Sequence, residues 1–285
     1  MPRDIDPSLN RRRLRIELRK ARENAGLTQR DATKALEWSL SKLIRIEAGT
    51  VSLGVTDLRA LLQLYEVTDA GLVAELEDAA RGSKGQSWWA QYSDVVSPQY
   101  ALYLGYEGSA DTIRMYNPTI LPGLVQTEDY ATALLSALGP ESLLRQQVDL
   151  RLSRQERFFD GSDGPRIDIV LDEAAVRRQV GGPAVMRRQI DHLLSLTEHP
   201  RTNLRVLPFS AGAHFSVATP FILLSFRDDD DLLYVEGPGG GLSSRDDLAL
   251  MARYQECFEE ISAIAYEGDR MTDLLGAVRE SLDNS

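Results

Sequence analysis

The stretch from Leu27 to Gly49, LTQRDATKALEWSLSKLIRIEAG, constrains the fold of this 285-residue chain more tightly than any other. Thr28 suits a helix N-cap, and Asp31 three residues later makes an approximate capping box, because the two short side chains satisfy the free N–H groups of a helix start. A short helix follows, with Ala32, Thr33, Ala35 and Leu36 at small or apolar positions. It must stop near Glu37 and Trp38, since Ser39 reads as a second N-cap. The next helix turns Leu43 and Ile46 inward at spacing i, i+3 and ends at Gly49. Two short helices split by a tight turn form a helix-turn-helix, the geometry that seats a second helix in the DNA major groove.

The string LTQ, then a helix, then S-x-S-K-x-x-R-I-E-x-G resembles the DNA-binding domain of the phage-repressor-like (Xre) regulators, and several positions match together. The resemblance implies roles position by position. Gln29 falls on the family's phosphate-contacting glutamine. Leu40, Ser41 and Arg45 fall where the second helix faces base edges; Arg45 suits a guanine through two parallel hydrogen bonds, and Leu40 suits a thymine methyl. Ser39 and Lys42 fall beside the phosphates. Arg22 and Glu47 match a structural ion pair and stay outside the DNA-contacting set. Thr33 departs from the usual alanine, which loosens helix packing. Ile44 receives no role, being apolar on a helix that already has an inward face.

Upstream, Pro2 to Pro7 reads as a frayed terminus. Leu14, Leu18, Ala21 and Ala25 then form the apolar stripe of a first helix, closed by Gly26. Its arginines, Arg11, Arg12, Arg13 and Arg15, leave two readings open, contact with the DNA backbone or a solvated face. Basic residues at a helix start oppose its dipole, so they call for a reason. Downstream, Leu58, Leu61, Leu62 and Tyr65 mark a fourth helix, and Leu72 and Leu76 a fifth. A five-helix, all-α head over residues 1–80 is expected, with a joint at 81–86 (RGSKGQ) and a second domain over 87–285.

Charge supports the division. The whole chain carries a net −11, which looks wrong for a DNA binder. Residues 1–65 hold 13 basic and 8 acidic side chains, a net of +5, whereas the remainder holds 19 and 35, a net of −16. A basic head on an acidic body fits phosphate contact at one end only, with the body repelling DNA.

The body alternates helices with short strands. Strands are expected over 112–116, 166–171, 203–207, 221–226 and 232–236, the last two as an antiparallel hairpin around Arg227–Asp231. Helices are expected over 128–138, 142–159, 183–196, 244–266 and 269–282. The result is an α+β domain with one mixed or antiparallel sheet. The aromatic run with Trp88, Trp89, Tyr92, Tyr100, Tyr103 and Tyr106 fits packing between domains or against the body's core better than an aromatic ligand box. Several strings, LPGLVQTEDYA, RLSRQERFF, VLDEAAVRRQVGG, RRQIDHLL and NLRVLPFSAGAH, resemble in order and spacing the C-terminal domain of WhiJ-like actinobacterial regulators. With the head, the resemblance covers about residues 10–283. It implies a regulator or antitoxin-like role, pairing with a small BldB-like protein, and no established enzymatic role for the body.

No catalytic constellation emerges. Asp172 and Glu173 are adjacent, so their side chains diverge, whereas paired-carboxylate chemistry needs both to flank one bond. His192, His199 and His214 lack zinc-ligand spacing, and His192 reads as a surface or boundary residue. Gly237–Gly241 lacks the Lys-Ser/Thr of a phosphate loop, and Asp228–Asp231 lacks the spaced ligands of a calcium loop. Cys257, the single cysteine, reads as a small buried residue rather than a reactive thiol. Neither metal nor cofactor is expected. No apolar run is long enough for a membrane span or a signal peptide, so the expectation is a cytoplasmic, sequence-specific regulator that binds double-stranded DNA as a homodimer. A small-molecule ligand in the body stands as the alternative input, and an enzyme with a DNA-targeting head as the rival class.

Overall fold

A computed structural model describes residues 7–48, 51–159, 164–227, 230–235, 242–244 and 247–283. Gly49, Asp228, Asp229, the glycine run at 237–241 and the expected frayed start through Asp6 lie outside them. The chain forms two compact units, Met1–Gln91 and Tyr92–Ser285.

The first unit is built from five helices: α1 (Pro7–Asn24), α2 (Gln29–Ala35), α3 (Leu40–Glu47), α4 (Val55–Leu64) and α5 (Ala70–Gly82). Leu18, Ala32, Leu43, Leu58, Leu61 and Leu76 meet in its core, each from one apolar helix stripe. Gly26 ends α1 with φ +68°, the left-handed conformation glycine adopts without a Cβ clash. The turn between α2 and α3 uses Glu37 at φ +56°, unusual for a residue with a side chain. Trp38 N–H closes that turn on Thr33 C=O at 2.9 Å. The buried Thr33 satisfies its hydroxyl by donating to Arg30 C=O at 3.0 Å.

Two of the α1 arginines bond within the unit, and Arg13 stays exposed, as the solvated reading has it. Arg11 donates to Ser83 C=O at 2.9 Å and to Ser87 Oγ at 3.0 Å, and Arg13 pairs with Glu75 on α5. Arg15 is buried. Arg11 and Arg13 tie α1 to the end of the unit, which gives the basic helix start a packing role. The joint expected at 81–86 therefore differs in two respects. Its first two residues finish α5, and Ser83 is fully buried.

The second unit places a six-stranded mixed sheet between helices. After α6 (Pro98–Glu107) come β1 (Thr112–Asn117), α7 (Glu128–Leu138), α8 (Glu141–Phe159), β2 (Arg166–Asp172), α9 (Glu173–Arg177), α10 (Pro183–Leu196), β3 (Thr202–Leu207), β4 (Phe221–Ser225), β5 (Leu232–Val235), β6 (Leu242–Ser244), α11 (Leu248–Ile264) and α12 (Gly268–Ser281). Strand order is β3-β2-β1-β4-β5-β6. β1, β2 and β3 run parallel, joined through helices as parallel strands require, and β4, β5 and β6 add antiparallel on the other side of β1. The fold is thus α+β with a mixed sheet, and the expected β4–β5 hairpin pairing is present.

Both faces of the central strands are covered, so β2 reads as the continuous apolar run IVL rather than as an alternation. On one face Tyr116, Val170 and Leu223 pack with Cys257, Phe258 and Ile261 of α11. Cys257 is fully buried, and burial pushes its thiol pKa up, away from thiolate chemistry. The α6 tyrosines belong to this unit's own core. Tyr103 stacks on Tyr234 of β5 with ring centroids 4.3 Å apart, and Tyr106 lies against Phe226.

Candidate nucleic-acid interface

Two caps fix the approach of α2 and α3. Thr28 accepts from Asp31 N–H at 3.2 Å while Asp31 accepts from Thr28 N–H at 3.0 Å, a full capping box. The Thr28 hydroxyl, donating to Asp31 Oδ2 at 2.6 Å, and then the Thr28 N–H hold the exposed Asp31 carboxyl below its ordinary pKa. Ser39 accepts from Lys42 N–H at 3.3 Å and starts α3. Leu43 and Ile46 anchor α3 in the core.

With that face fixed, the opposite face is outward. Leu40, Ser41, Ile44 and Arg45 are all exposed. Leu40 and Ile44, one helical turn apart, are 36% and 44% exposed, so an apolar strip runs beside Arg45. Arg45 bends back to its own helix, donating from Nε to Ser41 C=O at 3.3 Å.

Beneath this face lies a buried ion pair. Arg22 of α1 donates to Glu47 of α3 through Nε at 2.7 Å and Nη2 at 3.1 Å, and to Leu27 C=O at 2.8 Å. The hydrogen bond to Glu47 raises the Arg22 pKa against the opposing cost of burial. Gln29, the first residue of α2, donates to the same Glu47 at 2.8 Å. One carboxylate thus joins three helices. The side chain expected to touch phosphate is oriented by a residue expected to be purely structural.

Lys42 is also engaged. It pairs with Asp57 of α4 at 2.9 Å and lies 3.6 Å from the centroid of the Trp38 ring. Thr28, Gln29, Arg30 and Leu40 border a shallow depression of ≈ 530 Å³ that joins the starts of α2 and α3 on one surface. Arg30 was not singled out by sequence reasoning, although a basic residue directly after Gln29 is a readable signal. Ile44 lacked a role until its exposure was known.

In the second unit, Asp172 and Glu173 do diverge. Asp172 caps α9 by accepting from Ala174 N–H at 2.8 Å, whereas Glu173 binds Arg177 at 2.7 Å and Phe209 N–H at 2.8 Å. Tyr116 brings its hydroxyl 3.1 Å from His214 Nε2 and 3.4 Å from Asp172 Oδ2. Burial, then the Asp172 charge, pushes the Tyr116 pKa up; burial pulls His214 down. These contacts hold the segment after β3 against the sheet. Burial also lowers the His192 pKa, as suits a boundary residue. Sequence reasoning missed the buried Arg154–Glu107 pair, with Arg154 Nε 2.7 Å from Glu107 and Nη2 3.0 Å from the Tyr103 hydroxyl. Burial opposes the Arg154 charge, yet Glu107 and the two tyrosines outweigh it and raise the pKa.

Among the described residues, no cluster of three or more His, Cys, Asp or Glu could hold a metal ion, and no helix is long and apolar enough to cross a membrane. No curated protein and no solved structure matches the chain. Residues 13–76 match the family model described as a helix-turn-helix domain, which points to a DNA-binding regulator. Residues 100–277, more than half of the sequence, match a second model, and the chain therefore belongs to the family described as a domain of unknown function (DUF5753).

Proposed function

We propose that the protein is a sequence-specific, cytoplasmic transcription regulator that inserts α3 into the major groove of an operator. The observation that carries this reading is the outward face of α3, held by two caps and by the Arg22–Glu47 pair. Arg45 takes a guanine edge, Leu40 and Ile44 meet thymine methyls, and Ser41 bonds a neighbouring base. Gln29, Ser39, Lys42 and Arg30 border the phosphates. For Lys42 this means exchanging Asp57 for a phosphate on binding. Two copies related by two-fold symmetry place their α3 helices about one helical turn of DNA apart on a palindromic site.

Selection of bound duplexes from a random pool tests this reading. Parent protein should return a palindromic consensus, and Arg45→Ala should lose the preference at one position per half-site. An unchanged consensus would remove α3 from the base edges.

The input to the regulator is read as a small BldB-like protein acting on the second unit, in an antitoxin-like arrangement. The ordered strings of the second unit support this reading through their resemblance to WhiJ-like regulators. Repeated pull-downs that return no small partner would count against it.

A further inference from the structure

Beside the outward face of α3 the fold supplies an anion of its own. Lys42 Nζ lies 2.9 Å from a carboxylate oxygen of Asp57, in the first turn of α4. It also lies 3.6 Å from the ring centroid of Trp38, in the turn before α3. Trp38 is itself fixed, being half-buried and packed against the core of the first unit. The two neighbours act differently. An aromatic face attracts a cation yet leaves its need for an anion unmet, so Trp38 sets where the ammonium sits. Asp57 meets that need with a charge-assisted contact of the kind a phosphate oxygen would make. Neither Lys42 nor Asp57 has another charge partner among the described residues. Their side chains keep 35% and 39% of their surface exposed, so a duplex can reach the pair.

An acid in the first turn of α4 also suits the helix dipole, but that role needs no contact with Lys42. In the operator-binding reading Lys42 borders a phosphate, so the phosphate and the Asp57 carboxylate compete for one ammonium. The carboxylate, once displaced, remains close to the phosphate that replaced it, and the two like charges repel. We infer that Asp57 is an internal competitor for the phosphate contacted by Lys42, a brake on DNA affinity that acts whatever the sequence of the duplex; the inference rests on that reading. Exposed ion pairs are weak, so the brake is small. Base contacts on an operator outweigh it, whereas a non-specific duplex has only phosphate contacts to set against it.

The test is a double-mutant cycle on the full chain, with the parent, Asp57→Asn, Lys42→Met and the double variant each titrated against a selected operator and a scrambled duplex over a salt series. Asp57→Asn should bind both duplexes about fivefold more tightly at low salt, the upper range for an exposed ion pair. Its plot of log affinity against log salt should steepen by about 0.9, the increment for one more neutralised phosphate. With Lys42→Met in place most of that gain should vanish, because no ammonium remains to compete for. Asp57→Ser should repeat the result and carries the cycle if Asp57→Asn misfolds. An equal gain in both backgrounds would reduce Asp57 to a general repulsion, and no gain at all would leave it without effect on binding; either overturns the inference while the operator-binding reading stands. A parent that binds neither duplex would overturn that reading and the inference with it.

Discussion

Both units bury an arginine–glutamate pair, and the two pairs serve different ends. In the first unit Arg22–Glu47 crosses between helices and passes a third hydrogen bond to Gln29, so a buried charge aims an exposed surface. In the second unit Arg154–Glu107 lies beside two tyrosine hydroxyls and locks α8 to α6. A paired buried charge costs desolvation in either place, and the fold recovers it only where geometry is good. The contrast teaches that the same device can aim an exposed face in one unit and lock an interior in the other.

Breaking the pairs is the severest way to probe this contrast. Arg154→Met leaves the Glu107 charge buried alone and should cost about 3–5 kcal/mol. Adding Glu107→Leu should return most of that loss, because no bare charge then remains. Urea denaturation followed by circular dichroism checks both. Arg22→Met should cost a similar amount. Unlike the body variant, it should also lower DNA affinity under conditions where the protein is still folded, since Gln29 loses its anchor. Equal DNA binding by folded Arg22→Met would dissolve the distinction between the two pairs.

Smaller changes sharpen the first half of the comparison. Thr28→Ala removes one side of the capping box and should cost about 1 kcal/mol of stability. Replacing a contacted thymine with deoxyuridine in a selected operator removes one methyl, and should weaken binding by about 0.8 kcal/mol if Leu40 or Ile44 touches it. Leu40→Ala and Ile44→Ala should erase that difference at their respective positions.

The smallest expected effect belongs to the second unit. Burial lowers the pKa of His192 and of His214 below the ordinary 6.5. The folded state then prefers both neutral, and the unfolded chain takes up protons first. This contribution to stability is complete above pH 6.5 and is lost as pH falls through the lowered values. Thermal melts from pH 7.5 to 5 should show a shallow decline that His192→Gln flattens in part.

The two regions also differ in how much of them was legible in the sequence. The face of α3 comes from contiguous residues: caps at Thr28 and Ser39 and inward Leu43 and Ile46 dictate which side remains, with no knowledge of the rest of the chain. Even there, Gln29 bonding Glu47 and Lys42 bonding Asp57 were hidden, because each joins separate helices. The five longer strands of the body were readable from short apolar runs. The six-residue difference between α11 and the helix expected over 244–266 reflects strand β6, which takes residue 244 into the sheet, and a helix that ends at Ile264. A cavity between β1, α7 and α8 left no local signature. Asn117 and Gln147 stand 30 positions apart in the sequence and share its lining only once β1 and α8 have packed.

In the proposed function α3 reads DNA sequence. Fluorescence anisotropy with a labelled, selected operator and a scrambled duplex, at two salt concentrations, tests it most directly. Binding to the operator should be tighter at both concentrations, with affinity falling steeply as salt rises, because contact with the phosphates releases condensed counterions. Arg45→Ala should lose about 1–3 kcal/mol on the operator and almost nothing on the scrambled duplex. Equal affinity for the two duplexes, or an Arg45→Ala variant that binds the operator as tightly as the parent, would contradict it.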